Sequence, residues 1–276
     1  MKKPPLLIIF VALITLYTSC ASDFVKLERS NDYEEMYSGA IALYERGKYE
    51  RAKLLFERIY PYFRGAEQAE KIRYYWAYCE YNQGFYQLAA YQFKEFYQTF
   101  GRSPMAEEAQ FMEAYSLYLD APGPDLDQSS SEQAVLAMQN FLNRYPASQR
   151  YQEANAIIDE LQIRFETKAY QTAKLYYRLT TGLSYRTYLE AALVSFEAFK
   201  EDYPDSKYNE ELLFLSVETS FKLADNSITS KRKERFDKTL DLYEEFLEKY
   251  PQSEYMNKAQ DYYEQSKEEL NKLKID

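Results

Sequence analysis

The pattern of apolar and polar positions repeats along the chain. Tyr37, Ala40, Tyr44, Gly47, Tyr49, Ala52, Phe56, Tyr60 and Phe63 fall, after a shift of 37 residues, on Tyr74, Ala77, Tyr81, Gly84, Tyr86, Ala89, Phe93, Tyr97 and Phe100. Within each copy the apolar residues stand three or four apart, which predicts two helices with one buried face each. The glycine between the runs predicts a turn joining antiparallel helices. A small alanine lets such helices approach, and an aromatic residue one turn later fills the space between pairs. A period in the thirties built from helical spacings predicts an array of helix pairs that bury their faces on one another.

A second signature carries the count further. Phe141-x-x-x-Tyr145-Pro146-x-Ser148 recurs at Phe199–Ser206 and Phe246–Ser253, and Phe96-x-x-x-Phe100-Gly101-Arg102-Ser103 is a looser copy. Proline stops the outgoing helix and the serine is placed to cap the next. The small residue in the first helix and Ala-x-x-x-Phe in the second resemble the tetratricopeptide pattern. The expected fold is therefore all-α, a tetratricopeptide-repeat solenoid of about five helix pairs with a C-terminal capping helix. Trp76, the sole tryptophan, falls in a first helix.

The repeats predict the domain plan. Residues 1–19 read as a signal peptide, 20–30 as a short polar tether, 31–150 as repeats 1–3, and 151–276 as repeats 4–5 with the cap. In the leader, Lys2 and Lys3 precede an apolar run from Leu6 to Tyr17 that is too short to span a bilayer stably. It ends at Tyr17-Thr18-Ser19-Cys20-Ala21, which resembles a bacterial lipobox, although Tyr17 stands where leucine is commonest and Leu16 comes one place early. That resemblance implies cleavage before Cys20 and acylation of its sulfur; an ordinary secretory signal is the alternative. Two or three acyl chains anchor stably where one does not. Ala21 after the cysteine resembles lipoproteins passed on to the outer membrane. Cys79 is the other cysteine and reads as a buried structural thiol.

Two insertions interrupt the register. One, Ala121–Ser131, is rich in proline, glycine and serine and is expected to loop out. The other, Asp225–Arg235, holds the basic cluster Ser230-Lys-Arg-Lys-Glu-Arg235, which reads as solvated helix turns or as a contact for anionic lipid or an acidic partner.

Composition narrows the function classes. The formal charge is −10, and the chain has no long basic tract, which disfavours nucleic-acid binding. No histidine occurs, which excludes histidine metal sites and imidazole acid–base chemistry. No phosphate loop or metal-loop spacing appears, so neither a catalytic residue nor a cofactor or metal is implied. Tyrosine, with 30 copies, is unusually frequent.

The acylated cysteine, five tetratricopeptide-like units with Tyr-Pro-x-Ser turns, and the insertion in the third unit together resemble the BamD family of outer-membrane lipoproteins. That resemblance covers the mature chain. It implies a non-enzymatic scaffold of the β-barrel assembly machinery, lipid-anchored on the periplasmic face of the outer membrane. It also implies C-terminal repeats that dock a BamA-type barrel protein and N-terminal repeats that meet unfolded outer-membrane protein substrates. The alternatives are a pilotin-like lipoprotein of a secretion or pilus complex, or a glycan-capture lipoprotein.

The register itself points to a peptide-binding groove. Taking Ala40, Ala77 and Ala114 as equivalent, the positions on the groove side of the first helices are Tyr37, Ile41 and Tyr44, then Tyr74, Tyr78 and Tyr81, then Phe111, Tyr115 and Tyr118. Eight of these nine are aromatic, well above the 17% of the chain. They read as a trough for an extended or hairpin segment, with inter-repeat packing as the alternative. Lys71 and Arg73 stand near enough in sequence to meet a terminal carboxylate.

Overall fold

The computed structural model describes residues 24–180 and 185–273. Among these the chain is helical throughout, with no strand. A short helix, α1 (24–29), precedes α2 (Tyr33–Glu45) and α3 (Tyr49–Ile59), the latter extended by a 3-10 turn at Tyr60–Phe63. Then come α4 (Gln68–Asn82), α5 (Tyr86–Thr99), α6 (Ala106–Asp120), α7 (Ser129–Arg144), α8 (Tyr151–Arg178), α9 (Tyr185–Asp202), α10 (Asn209–Asp225), α11 (Thr229–Lys249) and α12 (Met256–Lys272). The pairs α2/α3, α4/α5, α6/α7 and α10/α11 pack as repeats, and α12 packs on α11 and α10 as the cap. The fourth pair is α8/α9, where Tyr170 meets Phe199 and Tyr177 meets Phe196, each at 6.4 Å. The fold is the all-α, tetratricopeptide-type array.

Two compact units divide the chain, Met1–Leu161 and Gln162–Asp276. The boundary lies inside α8, a 28-residue helix, and not at residue 150 where the repeat count would put it. In the first unit Ala40, Ala52, Phe56, Ala77, Ala89, Phe93 and Ala114 are each 0% exposed, so these alanine and phenylalanine positions of the register are core. In the second unit Phe199, Phe246, Leu212 and Val217 occupy the same kind of interior.

The turns follow from local chemistry. Gly47 and Gly84 adopt φ of +70° and +80°, the left-handed region in which a side chain is strained. Each ends its helix with the six-to-one bond of a Schellman motif: Lys48 N–H donates to Leu43 C=O, and Phe85 N–H to Glu80 C=O. The four serine turns share one geometry. Ser103, Ser148, Ser206 and Ser253 each donate their N–H to the carbonyl three residues back, at 2.9–3.1 Å. Each Oγ accepts the N–H two residues on, at 3.0–3.1 Å. The serines thus cap a preparatory turn, and α6, α10 and α12 begin three residues after them.

Both insertions are smaller than the sequence suggests. Ser129–Ser131 already belong to α7, and Gln128 is buried, its amide donating to Gly123 C=O at 2.7 Å. In the fifth repeat only residues 226–228 leave the helices, because α10 and α11 lengthen to absorb the rest. The basic cluster there is paired: Arg232 with Glu269 at 2.7 Å, Arg235 with Glu190 at 2.7 Å, and Lys233 with Asp237 at 2.7 Å. Arg232 and Arg235 thus tie α11 to α12 and α9.

Residues 24–29 are more than a polar tether. They form a helix whose Phe24 and Leu27 pack against the first-unit core.

A candidate peptide-binding face on the first helices

The first helices of repeats 1 to 3 carry a contiguous chain of rings. Tyr44 on α2 lies 4.8 Å from Tyr75 on α4. Along α4 the series continues through Tyr75–Tyr74 at 5.9 Å, Tyr74–Tyr78 at 5.0 Å and Tyr78–Tyr81 at 6.2 Å. It crosses to α6 at Tyr81–Tyr115, 6.4 Å, and ends at Tyr115–Tyr118, 5.8 Å. These spacings are those of favourable tilted and edge-on pairs. All seven rings are half-buried, so each offers part of its surface outward and part to the core. Tyr75 is the member that counting from the alanines misses; it sits one residue outside the counted positions and also stacks on Phe56 at 6.3 Å.

The remaining sequence-predicted positions fall differently. Tyr37 and Ile41 are half-buried and join the first-unit core, Tyr37 beside Phe63 at 5.9 Å. Phe111 is 1% exposed, packed on Phe141 at 5.4 Å with the Arg150 guanidinium 4.4 Å above it. It is core and lines no groove, because repeat 3 closes over it. Lys71 is exposed, and helical spacing puts it on the Tyr74 face. Arg73 is not on that face. Its guanidinium lies over Tyr60 at 5.1 Å and Trp76 at 5.4 Å and pairs with Glu95 at 3.7 Å. Cys20 lies outside the described residues.

Phenol groups tie successive first helices together. Tyr78 on α4 donates to Glu108 on α6 at 2.6 Å. Tyr118 on α6 donates to Glu160 on α8 at 2.7 Å. In the second unit Tyr170 and Tyr177 on α8 donate to Glu211 and Glu218 on α10, the latter at 2.8 Å. Lys174 reaches the same Glu211 at 2.8 Å. Burial sets back ionisation of the rings. It lifts Tyr44 to about 12 and pushes Tyr74 and Tyr78 higher still, with Glu108 adding to the rise at both. Tyr37 and Tyr81 are raised by burial too. Tyr44, Tyr74, Tyr78 and Tyr81 are thus neutral hydrogen-bond donors throughout the physiological range. Tyr74 and Tyr78 are the more deeply set; Tyr81 and Tyr115 stand at the crossing between repeats.

This face therefore presents a row of partly exposed rings, with the Tyr78 and Tyr118 phenols engaged by Glu108 and Glu160. Among the described residues no helix is long and apolar enough to cross a membrane. A family model described as YfiO, outer membrane lipoprotein, matches residues 29–184 and again 182–276. No curated protein matches the chain.

Proposed function

Since the chain belongs to the YfiO family of outer membrane lipoproteins, we propose that it is a non-enzymatic scaffold of the outer-membrane β-barrel assembly complex, of the BamD type. In this reading Cys20 carries the lipid, and the protein faces the periplasm. The first three repeats recruit unfolded outer-membrane proteins, and the second unit docks a BamA-type barrel subunit. The observation that supports substrate recruitment is the half-buried ring chain from Tyr44 to Tyr118, which spans three first helices. Rigid rings with two side-chain torsions lose little entropy on binding.

The test is affinity purification of the acylated protein from detergent-solubilised membranes, with stoichiometric partners identified. A BamA-type barrel protein is the expected partner. A secretin ring in its place overturns this reading in favour of a pilotin role. Cys20→Ala is expected to abolish acyl labelling and release the chain to the soluble fraction.

A further inference from the structure

Residues 24–32 are fastened to the first repeat. The Arg51 guanidinium lies 5.4 Å over the Phe24 ring. Leu27 fills the space over Gly39, where a Cβ would come within 2.5 Å of its Cδ1. Arg58 donates to the Glu28 carbonyl, and Ser30 Oγ to Glu35 at 3.0 Å. Asp32 then caps α2, accepting from the Glu34 and Glu35 N–H groups at 3.0 Å.

The outward side of this end is amphipathic. Val25 is 40% exposed and Tyr62 62% exposed, and Tyr62 stacks on Tyr33 at 3.8 Å. Lys26, Arg29, Arg58 and Arg64 are exposed in the same stretch of chain, and so are Glu28, Asp32, Glu34, Glu35 and Glu57. Residues 21–64 hold eight basic and eight acidic side chains, so the negative charge of the mature chain resides beyond residue 64. The first repeat alone lacks the net charge that an anionic surface would repel.

We propose that this end of the first repeat, built from α1, Tyr33, Tyr62 and the flanking arginines, is a contact surface for an anionic lipid bilayer. The inference rests on the lipid-anchor reading. Phe24 is four residues from Cys20, and four residues of chain reach at most about 14 Å, so the patch is delivered to the headgroup layer. Tyrosine is favoured at that depth, and lysine and arginine are drawn to anionic headgroups. Fastening α1 to α2 and α3 turns a leash into a seat, and it fixes which side of the first repeat faces the membrane.

The experiment uses the acylated full chain in vesicles of phosphatidylglycerol and phosphatidylethanolamine. An environment-sensitive dye is attached at Tyr62→Cys, and at Leu247→Cys as a control that is 43% exposed in the parent. Cys79, buried, stays unlabelled. The dye at position 62 is expected to blue-shift and to be quenched by nitroxide lipids, while the dye at 247 stays aqueous. Replacing Lys26 and Arg29 together with glutamate, or Gly39 with alanine, is expected to diminish the shift. Protein that floats with the vesicles yet shows an aqueous spectrum at position 62 overturns the contact surface and leaves the anchor standing. Protein that neither floats nor carries acyl label overturns the anchor, and the surface with it.

Discussion

The tyrosine–glutamate tie between α4 and α6 gives the sharpest test of how the repeats hold together. Tyr78 donates to the Glu108 carboxylate at 2.6 Å, and its ring meets Phe93 edge-on at 4.9 Å. A hydrogen bond to a charged group contributes about 1.5–3 kcal/mol. Glu108 is half-buried and water can replace the phenol, so Tyr78→Phe is expected to cost about 1.5 kcal/mol, the lower end of that range. Tyr78→Ala also removes the ring from Phe93 and Tyr74, and is expected to cost about 3–4 kcal/mol, near the lower figures for core aromatics. Combining Tyr78→Phe with Glu108→Gln in a double-mutant cycle isolates the pair, with a coupling of about 1 kcal/mol expected. Urea unfolding followed by fluorescence suits the measurement, because Trp76, the sole tryptophan, sits on α4 itself and reports the first unit. A coupling near zero, with Tyr78→Ala costing under about 1 kcal/mol, would refute the reasoning: the ring would then be a free rim of the trough and the helices would be joined by packing alone.

Three other outcomes follow from the same structure. Tyr81→Ala with Tyr115→Ala is expected to weaken binding of a C-terminal barrel-protein peptide by about 1–3 kcal/mol, with the unfolding midpoint little changed; unaltered affinity in a titration would remove the trough. Gly84→Ala places a side chain at a φ of +80° where nothing crowds the Cβ, so the cost is backbone strain of about 1–2 kcal/mol, read in urea unfolding. Burial, with Glu80 beside it, pushes the Cys79 thiol up to about 12, so a thiol reagent at pH 8 is expected to react only after unfolding; prompt reaction of the native protein would contradict that burial.

The array was legible in sequence because its determinants are local and repeated. Ala-x-x-x-Phe, the turn glycines and the serine turns each act within a few residues, so a shift of the sequence on itself exposes them. The ties between first helices were not legible. Tyr78 and Glu108 stand 30 residues apart and Tyr118 and Glu160 stand 42 apart, and the partners follow no fixed register. Phe111 shows the limit of counting. It occupies the same register position as the half-buried Tyr74, yet repeat 3 buries it under Arg150. Arg73 was misjudged for the opposite reason. One residue from Tyr74 is a rotation of about 100° on a helix, which carries it to the Tyr60 and Trp76 side. The α1 helix was not legible because its described residues, 24–29, are too few to show a helical period.

The four serine turns have a consequence for how such a chain can change length. Each makes the same two local bonds: the serine N–H donates to the carbonyl three back, and the serine Oγ accepts the N–H two on. Two of them add a tie to the preceding first helix, Ser103 donating to Glu70 and Ser206 to Glu166. The joint therefore asks little of its surroundings beyond a glutamate on the preceding first helix at two of the four turns. Cutting the gene at one serine and rejoining it at another would preserve the local bonds of the hinge, leaving the glutamate ties and the apolar faces to find new partners. Repeats built on joints of one shared local geometry are close to interchangeable parts, and whole-unit gain or loss is the mutation this architecture tolerates best.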